Sequence, residues 1–109
     1  MSDHEELHAI LHSAQEGLAQ IDAMLEQLAT MEREIEAKLA QGRKLLSLEQ
    51  GADALLSAAD QAKLLQIQAD MEQLQHETRA QKAELKALQA DLKEQCQNAA
   101  QALKRLGAD

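Results

Sequence analysis

From Leu7 onward, apolar side chains return at alternating steps of four and three: Leu7, Leu11, Ala14, Leu18, Ile21, Leu25, Leu28, Glu32, Ile35 and Leu39. Nine of these ten positions are apolar, the heptad signature of a helix burying one stripe against a neighbour. A second column, Ile10, Met24 and Met31, runs beside the first. The apolar face is therefore wider than a two-stranded seam needs, and it should touch more than one helix. The rhythm resumes at Leu64, Ile67, Met71, Leu74, Thr78, Gln81, Leu85, Leu88, Leu92, Gln95, Ala99, Ala102 and Leu106, of which ten are apolar.

Between the two runs, Gln41 to Asp53 breaks the pattern and holds two glycines, Gly42 and Gly51. A glycine within a helix costs about 1 kcal/mol relative to alanine. Lys38, Arg43 and Lys44 cluster where a helix carboxyl end welcomes cations. Asp53 or Ser57 is placed to cap the next helix, Ser57-Ala58-Ala59-Asp60 resembling a capping box, and Gly107 to end it. The pattern predicts helix 1 over about 4–41, a reversal over about 42–56 and helix 2 over about 57–106. At about 1.5 Å per residue each arm reaches roughly 60 Å or more. The expected fold is all-α: one domain over 1–109, a long antiparallel helical hairpin of coiled-coil type.

Composition strengthens this reading. The chain has 109 residues with no Pro, Phe, Tyr or Trp and only four Gly. Without aromatic rings, two thin helices sharing one seam only narrowly offset a backbone ordering cost of about 1–2 kcal/mol per residue. Dimerisation into a four-helix bundle is the expected remedy. Charge sets the orientation within the hairpin. Residues 1–36 hold nine acids against one base, Arg33, whereas Arg79, Lys82, Lys86, Lys93, Lys104 and Arg105 tilt the end of the chain positive. Doubling back sets the acidic opening beside the basic tail.

The net charge of −8 and the absence of any ring that could stack on a base argue against nucleic acid. No stretch approaches the roughly 20 apolar residues that span a bilayer. The acidic amino terminus and the single cysteine point to the cytoplasm.

Candidate chemistry is sparse. Glu32, Thr78, Gln81 and Gln95 are polar at seam positions, where isolated polar residues set register or strand number. His4, His8 and His12 repeat every four residues, a spacing that can chelate zinc or titrate together near neutrality. They are the candidate metal ligands, although a solvated helix face is the simpler account of them. Cys96 lies beside the helix-2 seam with no histidine near it in sequence and reads as a structural thiol. Leu45, Leu46, Leu48, Leu55 and Leu56 crowd into the reversal, either closing the bundle end or forming a docking tip. No phosphate loop, catalytic triad or cysteine-based metal motif occurs.

The expected function is thus a non-enzymatic protein–protein interaction module, an adaptor, scaffold or assembly factor without a cofactor, working as a homodimer with a protein partner. Its candidate partner-binding residues are Ile10, Met24, Met31, Leu45, Leu46, Leu48, Leu55 and Leu56. In size, acidity, helical composition and exposed apolar face the chain also resembles the helical chaperones and coiled-coil escorts of bacterial flagellar and type III secretion systems. That resemblance implies a small chaperone holding an export substrate, and it carries no particular residue with it. A histidine-based metal- or pH-sensing bundle is a third expectation.

Overall fold

A computed structural model describes residues 2–49 and 56–107, and all of these but Leu56 and Ser57 are helical. Helix α1 runs Ser2–Glu49 and helix α2 runs Ala58–Gly107. They pair as a helical hairpin, and α2 matches the sequence expectation to within a residue at each end. Helix α1 does not stop before Gly42 but continues through it to Glu49. The reason lies on the opposite helix. A methyl group on Gly42 would overlap the Gln68 carboxamide, coming within 2.5 Å of its carbon. The glycine is there to admit Gln68, and its backbone stays helical, with no positive φ among the described residues. The stretch also keeps the heptad, since Gly42 is buried and Leu46 and Glu49 are half-buried.

The start of α2 is set by Ser57, whose Oγ accepts a hydrogen bond from the Asp60 amide at 3.1 Å, while its carbonyl accepts from Gln61 at 2.9 Å. This is the N-cap arrangement foreseen for Ser57. Just upstream, the Leu56 amide donates to the Glu49 carboxylate at 2.9 Å. Asp53, the other proposed cap, lies outside the described residues.

The chain divides into two compact units, Met1–Gln27 with Lys82–Asp109, and Leu28–Gln81. In the first, Gly17 faces Leu92 and Asp22 faces Gln89, so the helices run antiparallel. The acidic opening of α1 therefore lies alongside the end of α2 that holds the bases, and Asp22 accepts there from the neutral Gln89 amide at 2.7 Å. Its α1 seam is Leu7, Leu11, Ala14, Leu18, Ile21 and Leu25, each buried or half-buried. From α2 come Lys82, Leu85, Gln89, Leu92, Cys96, Ala99 and Leu103. In the second unit Leu28, Glu32, Ile35, Leu39, Gly42 and Leu46 line the α1 side, and Leu64, Gln68, Met71, Gln75 and Thr78 the α2 side.

All ten predicted α1 seam positions thus face inward. Helix α2 is rotated from expectation. Leu64, Met71, Thr78, Leu85, Leu92 and Ala99 point inward as predicted, Ala102 is half-buried and Leu106 near the helix end is exposed, but along the body of the helix Ile67, Leu74, Gln81, Leu88 and Gln95 are exposed. Their inward places go to Gln68, Gln75, Lys82, Gln89 and Cys96, one residue further on. The predicted column comprises three large apolar residues and two glutamines, and the observed one is mostly Gln and Lys. Long polar side chains can occupy such places because their methylene stems pack while their heads find a hydrogen-bond partner. Gln89 does so to Asp22, and Gln68 to the Leu39 carbonyl at 3.4 Å.

Candidate functional site

In heptad terms the inner positions of each helix are a and d, and the exposed apolar column lies at g, immediately outside d. On α1 the g column reads Asp3, Ile10, Gly17, Met24, Met31, Lys38 and Leu45; on α2 it reads Ile67, Leu74, Gln81, Leu88, Gln95 and Ala102. In an antiparallel pair the two g columns flank the same side of the seam. The geometry of the first unit agrees, because Ile10 shares one depression with Gln95 and another with Ala102. Sequence patterning had found the α1 half of this face through Ile10, Met24 and Met31. It missed the α2 half by assigning those residues to the seam.

The sequence-predicted residues separate into different surroundings. Ile10, Met24, Met31, Leu45 and Leu48 are all exposed, and Leu56 just so. Leu46 differs in being half-buried on the seam of the second unit, and Leu55 lies outside the described residues. The leucines around the reversal therefore do not act alike, Leu46 facing inward while Leu45 and Leu48 present apolar surface to solvent.

In the first unit the face is grooved. Three open depressions of about 390, 360 and 260 Å³ adjoin Ile10. The first is bordered by Asp3, Glu6, Leu7, Ala102, Arg105 and Leu106, the second by Ser13, Ala14, Leu92 and Gln95, and the third by Leu7, Asn98 and Ala99. The groove exists because α2 brings small or polar side chains (Gln95, Ala99, Ala102) opposite one large isoleucine. A methyl on Gly17 would press within 3.0 Å of a Leu92 methyl, so this glycine lets Leu92 lean across beside the groove.

In the second unit the face is more apolar. Met31, Leu45, Ile67 and Leu74 stand at g, with Leu48 just outside them, and Ile67 is 55% exposed while its neighbour Gln68 is 8% exposed. Charges on or beside this surface nearly balance, with Glu34, Asp70 and Glu77 against Lys38 and Lys63.

The other candidates are not brought together. The His4 and His8 rings meet edge to face with centroids 4.8 Å apart, but His12 turns to Glu16, Nε2 to Oε1 at 3.1 Å. No three His, Cys, Asp or Glu among the described residues form a group that could hold a metal ion. Cys96 is half-buried on the seam rather than beside it. Thr78, 2% exposed, donates to the Leu74 carbonyl of its own helix at 2.7 Å, which satisfies the hydroxyl without a partner from outside. Gln81 and Gln95 are exposed at g and are not seam residues, while Glu32 is half-buried at its predicted place. No described helix is long and apolar enough to cross a membrane.

The chain matches no protein-family model, no curated protein and no solved structure.

Proposed function

We propose that the chain is a non-enzymatic coiled-coil interaction module that uses its exposed g columns to recruit further helices, a second copy among them. One observation carries this reading. Helix α2 places Gln68, Gln75, Lys82 and Gln89 toward α1 and leaves Ile67, Leu74 and Leu88 in solvent. A lone hairpin gains nothing from that choice, since burying a large aliphatic side chain is worth about 1.5–3 kcal/mol. It becomes favourable when another helix covers the outer column, as in a bundle whose helices bury g as well as a and d.

The second unit is the part of the chain suited to a second copy. Its g face is the more apolar, and its nearly balanced charges allow self-complementary docking about a two-fold axis. Two copies joined there make a four-helix bundle. Exposed Met24 and Met31 add adaptable apolar surface of the kind that tolerates varied partners, which favours the chaperone reading as the second choice.

Sedimentation equilibrium tests the dimer. The wild-type chain should weigh about twice its 12.0 kDa, and Leu48→Glu with Ile67→Glu should halve that mass while helicity by circular dichroism persists. Loss of helicity in the double variant would instead assign these residues to the hairpin's own core. A wild-type chain that stays monomeric defeats the dimer.

A further inference from the structure

The groove around Ile10 in the unit Met1–Gln27 with Lys82–Asp109 differs in charge from the balanced face of the other unit. The next heptad column beyond g in this unit is Glu6, Ser13, Gln20 and Gln27 on α1, and Glu84, Asp91, Asn98 and Arg105 on α2. Glu6, Ser13, Asn98 and Arg105 do line the depressions, which fixes the side on which this column lies. Asp3, at g, lines the first of them. Of the charged residues in these columns, Asp3, Glu6 and Arg105 line the depressions, and Glu84 and Asp91 stand further along α2, so the g face of this unit carries four carboxylates against one guanidinium. A second copy laid on this groove would bring the same excess of negative charge against it.

We infer that the Ile10 groove binds a basic amphipathic helix from another protein, one whose apolar stripe is flanked by Lys and Arg. The inference rests on the interaction-module reading and names the partner chemistry for this unit. Three adjoining depressions suit apolar anchors spaced three and four residues apart, the recognition mode of a helix in a groove. Ile10, 49% exposed, is the ridge between them, and an incoming helix would pack its anchors to either side. A helix of several turns laid along this face meets Asp3 and Glu6 at the groove and Asp91 and Glu84 beyond it, which pair with its flanking cations and discriminate against an acidic helix of the same apolar pattern.

The test uses the full chain and two synthetic peptides of about three heptads, with Leu at a and d and either Lys or Glu at e and g. Binding is followed by anisotropy of a dye on the peptide. The Lys peptide should bind and the Glu peptide should not. Ile10→Glu should abolish binding with helicity unchanged. Glu6→Lys with Asp91→Lys should weaken it about tenfold at low salt, and added salt should shrink that difference. Equal binding of both peptides, or indifference to Ile10→Glu, overturns the inference. Failure of the Lys peptide while the chain still dimerises through Ile67 and Leu48 also overturns it, but leaves the interaction module standing. A chain that neither dimerises nor binds either peptide removes both.

Discussion

Gly42 and Gln68 offer the sharpest test of why α1 continues where its sequence suggests a break. Gly42→Ala is a perturbation with two opposed terms. Alanine in a helix interior is worth about 0.8–1.0 kcal/mol over glycine. Against this, the new methyl would occupy the space of the Gln68 carboxamide, which is 8% exposed and donates to the Leu39 carbonyl at 3.4 Å. That bond is long, so its own worth is small. The larger cost is a displaced amide left buried without a partner, about 1–3 kcal/mol. The single variant should therefore be destabilised by roughly 0–2 kcal/mol. With Gln68→Ala already in place the clash is gone, and the same Gly42→Ala change should stabilise by about 1 kcal/mol. The coupling between the two sites is then about 1–3 kcal/mol.

The four chains of this cycle would be compared by urea unfolding at one fixed concentration, because association shifts apparent stability. An equal slope across the set confirms that the midpoints report stability. A coupling under about 0.5 kcal/mol would refute the reasoning, since distant and independent sites already add to within that margin. So would stabilisation by Gly42→Ala alone at the full helix-propensity value, which would mean that Gln68 moves aside freely.

The remaining predictions concern single sites. Gly17→Ala should stabilise by about 0.5–1 kcal/mol in thermal unfolding, since its methyl meets only the flexible tip of Leu92 at 3.0 Å. Ser57→Ala removes the oxygen that accepts the Asp60 amide and should cost about 1 kcal/mol in urea unfolding, with Ser57→Asp restoring most of it. Thr78→Val keeps the buried shape and strands no donor, because the hydroxyl bonds only to its own helix. It should leave urea stability unchanged or raise it by up to about 1 kcal/mol. Leu74→Glu, on the exposed g column, should leave the helicity of the isolated hairpin intact and reduce its self-association, read by circular dichroism and sedimentation together.

Most of the fold was legible because it rests on period alone. Nine apolar residues in ten at alternating steps of four and three leave α1 one face to bury, and the unbroken run of helix formers sets its extent. The α1 terminus was misjudged because a glycine carries two meanings. It marks a break where the backbone must leave the helix, and close packing where a neighbour must come near. Only the presence of Gln68 opposite Gly42 decides for the second, and that opposition depends on register between residues far apart in sequence.

The rotation of α2 has a related cause. Three columns of that helix compete for the seam, and d is common to every choice. Patterning joins d to g because Ile67, Leu74 and Leu88 are more apolar than Gln68, Gln75 and Gln89. That preference holds for a helix with one neighbour. A helix with two neighbours centres d between them, turning a to one and g to the other, and the more polar column then faces whichever neighbour can satisfy it. Helix α1 supplies the Asp22 carboxylate and the Leu39 carbonyl to Gln89 and Gln68. The apolar column is thereby turned outward, and the discrepancy between pattern and structure becomes an argument about function. An α2 designed to serve α1 alone would exchange the two columns, so a variant with Gln68→Ile, Gln75→Leu and Gln89→Leu paired with Ile67→Gln, Leu74→Gln and Leu88→Gln should give a more stable hairpin that no longer associates. Retained self-association in that chain would mean that the outward column is incidental.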